Sequence, residues 1–131
     1  MDVVVARVHV PRAWRSEMVN TPEPRIAADA QAEFTRRGTP EAPELAIRGE
    51  VDVSTSAALR DELYGIVDGG ARRVVVDCSE MDFIDSSGLG VLVGALKRVR
   101  EKDGELVLKS LNPSARKVFE ITGLTKLFTI E

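Results

Sequence analysis

A chain of 131 residues and 14.3 kDa fits one domain of ordinary size, and 44% hydrophobic with 30% charged residues is enough to build a core. The net charge of -3 argues against a basic nucleic-acid surface, and one cysteine with one histidine excludes an internal disulfide, a paired-cysteine zinc site and a multi-histidine metal centre. No apolar run reaches the roughly eighteen residues of a membrane span, and Met1–Val10 is broken by Arg7 and His9, unlike a secretory signal, so a soluble, cytoplasmic protein is expected.

Residues 1–43 hold five of the six prolines, which interrupt helices and central strands. They read as an N-terminal leader or linker, partly mobile, with Val3–Val10 a candidate extra edge strand or a segment that orders on binding. Gln31–Arg37 carries a weak pattern for a short first strand. From Glu44 the signals sharpen, and residues 44–131 read as the domain. Leu45, Ile47 and Gly49 suggest a strand ending in a turn. Ser54, Thr55 or Ser56 can cap a helix that faces inward with Leu59, Leu63, Ile66 and Val67, and Gly69-Gly70 stops it. Arg72–Cys78 contains Val74-Val75-Val76, the unbroken run of a strand covered on both faces. A loop through Met81–Asp85 leads to a second helix near Ser86–Glu101, with Leu89, Leu92, Val93, Leu96 and Val99 inward. Gly104 opens the strand Glu105–Lys109. Asn112 caps a third helix with Pro113 in its first turn and Val118, Phe119 and Ile121 inward, ended by Gly123. Leu127–Ile130 is a last short strand. Such alternation with short connections predicts an α/β fold: a mixed, mainly parallel sheet of about four to five strands packed against three to four helices.

The distinctive segment is Phe83-Ile84-Asp85-Ser86-Ser87-Gly88-Leu89-Gly90, between a strand and a helix. Free amides at a helix start favour an anion, so a phosphoryl group on Ser86 is tolerated locally while adding about -1.5 to -2 charges beside Asp85. The same residues also fit plain helix capping, since Asp and Ser are usual N-caps. Gly88, Gly90 and Gly94 miss the dinucleotide fingerprint, whose third glycine falls on Val93, and no lysine stands in phosphate-loop register. A serine hydrolase is excluded because Ser86 and Ser87 lack the Gly-x-Ser-x-Gly setting and the one histidine is His9.

Phe83–Gly90 resembles the signature of the STAS domain family, the anti-sigma factor antagonists and their relatives. Gly49-Glu50-Val51-Asp52 with Thr55, Arg73–Cys78, and Asn112-Pro113-Ser114 with Val118, Phe119 and Gly123-Leu124 are similar to other parts of that family, so the resemblance covers residues 44–131. It implies a single STAS-like domain without catalytic activity or cofactor. Its partner would be an anti-sigma factor that is also a serine kinase; binding frees the sigma factor, phosphorylation releases the antagonist, and a serine phosphatase resets it. Carried over, the phosphoacceptor is Ser86, with Ser87 the weaker candidate. Asp85 shapes the loop, Asp52 lies beside it, and Gly88, Leu89 and Gly90 complete the phosphorylation loop and partner interface. The implied state is a monomer or weak dimer, with no direct nucleic-acid or membrane contact. A STAS scaffold module of a stress-signalling assembly is the alternative.

Elsewhere, Cys78 reads as a small apolar residue rather than a redox sensor. His9 reads as incidental, and Trp14 as an exposed anchor or a residue folded back. Lys97, Arg98, Arg100 and Lys102 read as a solvated face that complements a helix dipole.

Overall fold

The structure is a computed structural model that describes residues 4–7 and 32–131. Its strands are β1 (Val4–Arg7), β2 (Ala32–Gly38), β3 (Pro43–Val51), β4 (Arg73–Ile84), β5 (Glu105–Lys109) and β6 (Thr129–Ile130). The helices are α1 (Ser56–Asp68), α2 (Ser86–Arg100) and α3 (Pro113–Ile121), followed by a 3-10 turn at Leu124–Lys126. One mixed sheet runs in the order β1-β2-β3-β4-β5-β6. The first two pairings are antiparallel and the last three parallel. Parallel neighbours need crossovers, and α1 and α2 supply them for β3–β4 and β4–β5.

Strand alternation assigns the faces. Phe34, Leu45, Ile47, Val74, Val76, Leu106 and Leu108 share one buried cluster with Leu59, Leu63, Leu92, Leu96 and Val99 of the first two helices and Ala115 and Phe119 of the third. Phe119 meets Phe128 edge to face at 5.7 Å. Val107 points the other way and is the one buried hydrophobic, among the described residues, outside that cluster. On its face Arg37 reaches Asp77 at 3.4 Å and Lys109 reaches Glu44 at 2.8 Å, bridging four strands.

Several expectations need correction. Only one face of the Val74–Val76 run packs on the described helices; Val75 is half-buried beneath the charged row. Met81–Ile84 is strand rather than loop. β4 stays paired with β3 as far as Val51↔Ile84, past irregularities at Ala46/Arg48 and Gly49/Glu50 that break the period-two pattern. Gly49, at φ 95, belongs to that irregularity inside β3 and does not end the strand. Ile121 is 75% exposed, because the α3 helix turns only Ala115 and Phe119 fully inward. The 3-10 turn takes up Leu124–Lys126, which leaves the last strand two residues long.

Candidate functional site

β3 and β4 end side by side, and each runs into a helix through the same kind of turn. The Asp85 amide donates to the Val51 carbonyl at 3.0 Å and ties the two turns together. In the first turn, Asp52 Oδ1 accepts from the Ser54 amide (2.9 Å), the Ser54 hydroxyl (2.6 Å) and the Thr55 amide (3.2 Å). In the second, Asp85 Oδ1 accepts from the Ser87 amide (2.9 Å), the Ser87 hydroxyl (2.5 Å) and the Gly88 amide (3.2 Å). Asp-x-Ser is the common element: the carboxylate satisfies orphan donors at the chain's turn into a helix, and the second serine locks it.

The Ser87 hydroxyl, helped by the Gly88 and Ser87 amides, holds the Asp85 carboxyl below the usual carboxylate range despite an opposing effect of burial. A depressed folded-state value means the cap stabilises the fold fully above the unfolded value, about pH 4, and loses that contribution as pH falls through the lowered one. At neutral pH the head of α2 therefore already carries one anion that occupies its second and third amides.

Ser86 stands between the two caps' partners and differs from both. It is the first residue of α2, its side chain is exposed, and among the described residues its hydroxyl has no hydrogen-bond partner. Ser87, the next residue on the same turn, spends its hydroxyl on Asp85. The next residues turn inward. A Cβ on Gly88 would lie 2.6 Å from Val51 and 2.7 Å from Ile84, so the absence of a side chain lets α2 sit against the two strands. Leu89 is buried in the core, and Gly90 is exposed with open space where a side chain would go. Asp52, half-buried, lies one strand over at the same sheet edge. Thr55 is fully buried and braces its turn by donating to the Glu50 carbonyl at 2.8 Å and accepting from the Asp52 amide at 2.9 Å.

Two apolar residues of this edge are not among the site residues expected from the sequence. Val53 is 81% exposed, and Phe83, paired with Glu50, is 49% exposed. An apolar residue inside a polar turn is the only sequence signal for Val53. Phe83 falls in the segment read as a loop, and only the β3–β4 register shows which way it faces.

The remaining candidates lie elsewhere. Arg98 holds Asp68 through two contacts of 2.8 and 3.0 Å and stacks over the Tyr64 ring at 4.4 Å, which clamps α2 to α1. Lys102 and Arg100 donate to the Val67 and Leu127 carbonyls, so these cations close the far end of the helices. His9 and Trp14 lie outside the described residues. Cys78 is fully buried on β4, and burial, with a smaller push from Asp77, drives its thiol up to about 12. Thiolate is the reactive form, so a native sample at pH 8 should resist alkylation and add one label only after unfolding, a difference read directly by mass spectrometry.

Comparison with known proteins adds an independent line. The model of the STAS domain matches residues 33–131. BtrV of Bordetella bronchiseptica, named as an anti-sigma factor antagonist, is 42% identical over 84 residues, which cover 64% of this chain and 72% of that protein. The anti-sigma-B factor antagonist of Listeria monocytogenes is 37% identical over 90 residues, 67% of this chain and 77% of the relative. Among solved structures, an anti-sigma factor antagonist from Mycobacterium paratuberculosis superposes with a TM-score of 0.71 at 24% identity, covering 79% of this chain and 87% of the other. The antagonist SpoIIAA in its unphosphorylated form superposes with a TM-score of 0.67 at 24% identity, over 75% and 87% of the two chains. At that identity the superpositions speak for the fold.

Proposed function

The chain belongs to the STAS domain family, and we propose that it is an anti-sigma factor antagonist whose binding to an anti-sigma serine kinase is switched off by phosphorylation of Ser86. The observation that carries this reading is the free, exposed hydroxyl of Ser86 at the head of α2, next to a serine whose hydroxyl is already committed. Curated relatives named as anti-sigma-B factor antagonists support the partner class.

The chemistry follows from the cap. A phosphoryl group on Ser86 meets the positive end of the helix dipole, so the fold tolerates it. Asp85 already occupies the Ser87 and Gly88 amides. The added charge of about -1.5 to -2 therefore faces outward, beside Asp85 and across from Asp52. The protein keeps its shape and changes its surface, which is what release of a docked partner requires. Gly88 and Leu89 shape the loop from below, while Asp52, Asp85, Ser87 and Gly90 border the acceptor. A serine phosphatase would reset the switch. Function is regulatory rather than catalytic, and the compartment is the cytoplasm; among the described residues no helix is long and apolar enough to cross a membrane.

Wild type, Ser86→Ala and Ser86→Asp chains, used as baits in host lysate with ATP, test the reading. The first two should retain the same serine kinase, with affinities within about twofold of each other, and the third should lose about tenfold or more. Phosphate should appear on Ser86 of the wild type alone by peptide mass spectrometry. Loss of kinase binding by a folded Ser86→Ala chain, or phosphate on Ser87 instead, would overturn it.

A further inference from the structure

The two Asp-x-Ser turns present their middle residues in matching positions, and those residues are Val53 and Ser86. In each turn the aspartate and the following serine are consumed internally, with distances that agree to about a tenth of an ångström. The middle residue is therefore what the turn offers to the outside. One turn offers a hydroxyl, the other an apolar knob.

Val53 is 81% exposed, the highest among the exposed large hydrophobics of the described residues, and Phe83 at 49% exposure lies on the neighbouring strand end. The register Glu50↔Phe83 and Val51↔Ile84 brings both to the sheet edge that carries Ser86. The other two exposed large hydrophobics, Ile121 and Leu127, belong to the opposite end of the molecule, where Leu127 receives Arg100 from the last residue of α2. The charged residues next to Val53 and Phe83 in the chain are acidic: Glu50 and Asp82 are exposed, Asp52 and Asp85 sit in the turns, and Arg48, further back on β3, is paired with Glu80 at 3.6 Å. Apolar anchors within an acidic rim fit a partner surface with an apolar centre and a basic border, since charge complementarity fixes orientation while the buried apolar residues carry affinity.

We infer that Val53 and Phe83 are the apolar anchors by which this chain docks on the anti-sigma kinase, through an apolar face of the kinase bordered by basic residues. The inference rests on the function proposed above and adds where the affinity resides. It also gives the switch a physical basis. Closing the apolar contact strips water from its neighbour Ser86; a hydroxyl tolerates that far better than a phosphate, whose dianion needs hydration or paired cations.

Binding of the purified kinase, identified with the wild-type bait, to unphosphorylated full-length variants tests this. Val53→Ser and Phe83→Ser should each weaken binding about tenfold or more, and Ile121→Ser should leave it within about twofold. Val53 and Ile121 are mostly exposed, so unchanged thermal midpoints are expected there. The change at Phe83, which is 49% exposed, should lower the midpoint slightly without unfolding the chain at the assay temperature, which separates docking from folding. Rising salt should weaken the wild-type complex, as an acidic rim against a basic border requires. If Ser86→Asp releases the kinase while Val53→Ser and Phe83→Ser bind as wild type, the anchors are wrong and the switch stands. Equal losses at Ile121 and Val53 also overturn the assignment. If the wild type retains no kinase, both the switch and the anchors fall.

Discussion

Replacing Phe34 with alanine should remove about 3–5 kcal/mol of stability, among the largest effects of any single substitution in this chain. Phe34 is fully buried on β2, directly opposite Ile47, which is 1% exposed. The space cannot close easily, because Phe34 is held between β1 and β3, opposite Ala6 and Ile47, in one buried cluster with Leu59 and Leu63. Urea unfolding should show a lower midpoint with an unchanged slope. The same logic bears on where the folded unit begins. A fragment spanning residues 44–131 lacks β2 and leaves one edge of β3 unpaired, with Leu45 and Ile47 stripped of their cover. It should be unfolded or aggregated, whereas one beginning before Ala32 should fold. A 44–131 fragment with the full chain's midpoint would remove β2 from the core.

Gly88→Ala should be the second large effect, and its neighbour supplies the control. The new methyl would stand 2.6 Å from the Val51 Cγ1 and 2.7 Å from the Ile84 Cγ1, both on buried side chains in adjacent strands. Overpacking of this kind costs about 1–3 kcal/mol, because relief requires α2 to lift from the sheet. Lifting α2 also strains the bond from the Gly88 amide to Asp85, so the phosphorylation of Ser86 proposed above should fall although Ser86 is untouched. Gly90→Ala, two residues on, meets nothing within 4 Å and sits in the exposed interior of the same helix. It should stabilise by about 0.5–1 kcal/mol through helix propensity. Thermal melts of the two variants should therefore move in opposite directions; a matched shift would contradict the geometry.

The regular parts of this fold were legible because each was signalled by a local pattern. Leu59, Leu63, Ile66 and Val67 recur at helical spacing, and all four are buried. Asn112 with Pro113 marks a helix start, and its side chain does accept from the Ala115 amide at 2.8 Å. What failed was whatever depended on a neighbour. Met81–Ile84 looks like loop because its apolar residues, Met81, Phe83 and Ile84, keep no period of two; the irregular pairing with β3 buries Met81 and Ile84 and leaves Phe83 exposed. Ile121 looks buried because hydrophobicity alone cannot say which residues a short helix turns outward. At the candidate site, Asp85, Ser86 and Ser87 were visible as residue types. Which hydroxyl is spent on the cap and which is left free is a matter of hydrogen bonds, and no spacing rule supplies it. Val53 was invisible for a similar reason: the turn that exposes it is built by Asp52, Ser54 and Thr55 bonding to one another.

The order of pairings in the sheet has a bearing on how the chain reaches this state. Only β2 and β3 meet across a short stretch of chain, with Gly38 opposite Pro43. β3 meets β4, and β4 meets β5, only after a helix-length detour, as in Glu44↔Val75 and Arg73↔Glu105. Hairpins close in about 1–10 μs, while non-local parallel pairs wait on costlier loop closure. The bond from the Asp85 amide to Val51 exists only once β4 lies in register beside β3. The cap bonds of Asp85 are local, but the tie between the two turns waits on that parallel pairing, so the joined face at the head of α2 is completed only after β3 and β4 have met.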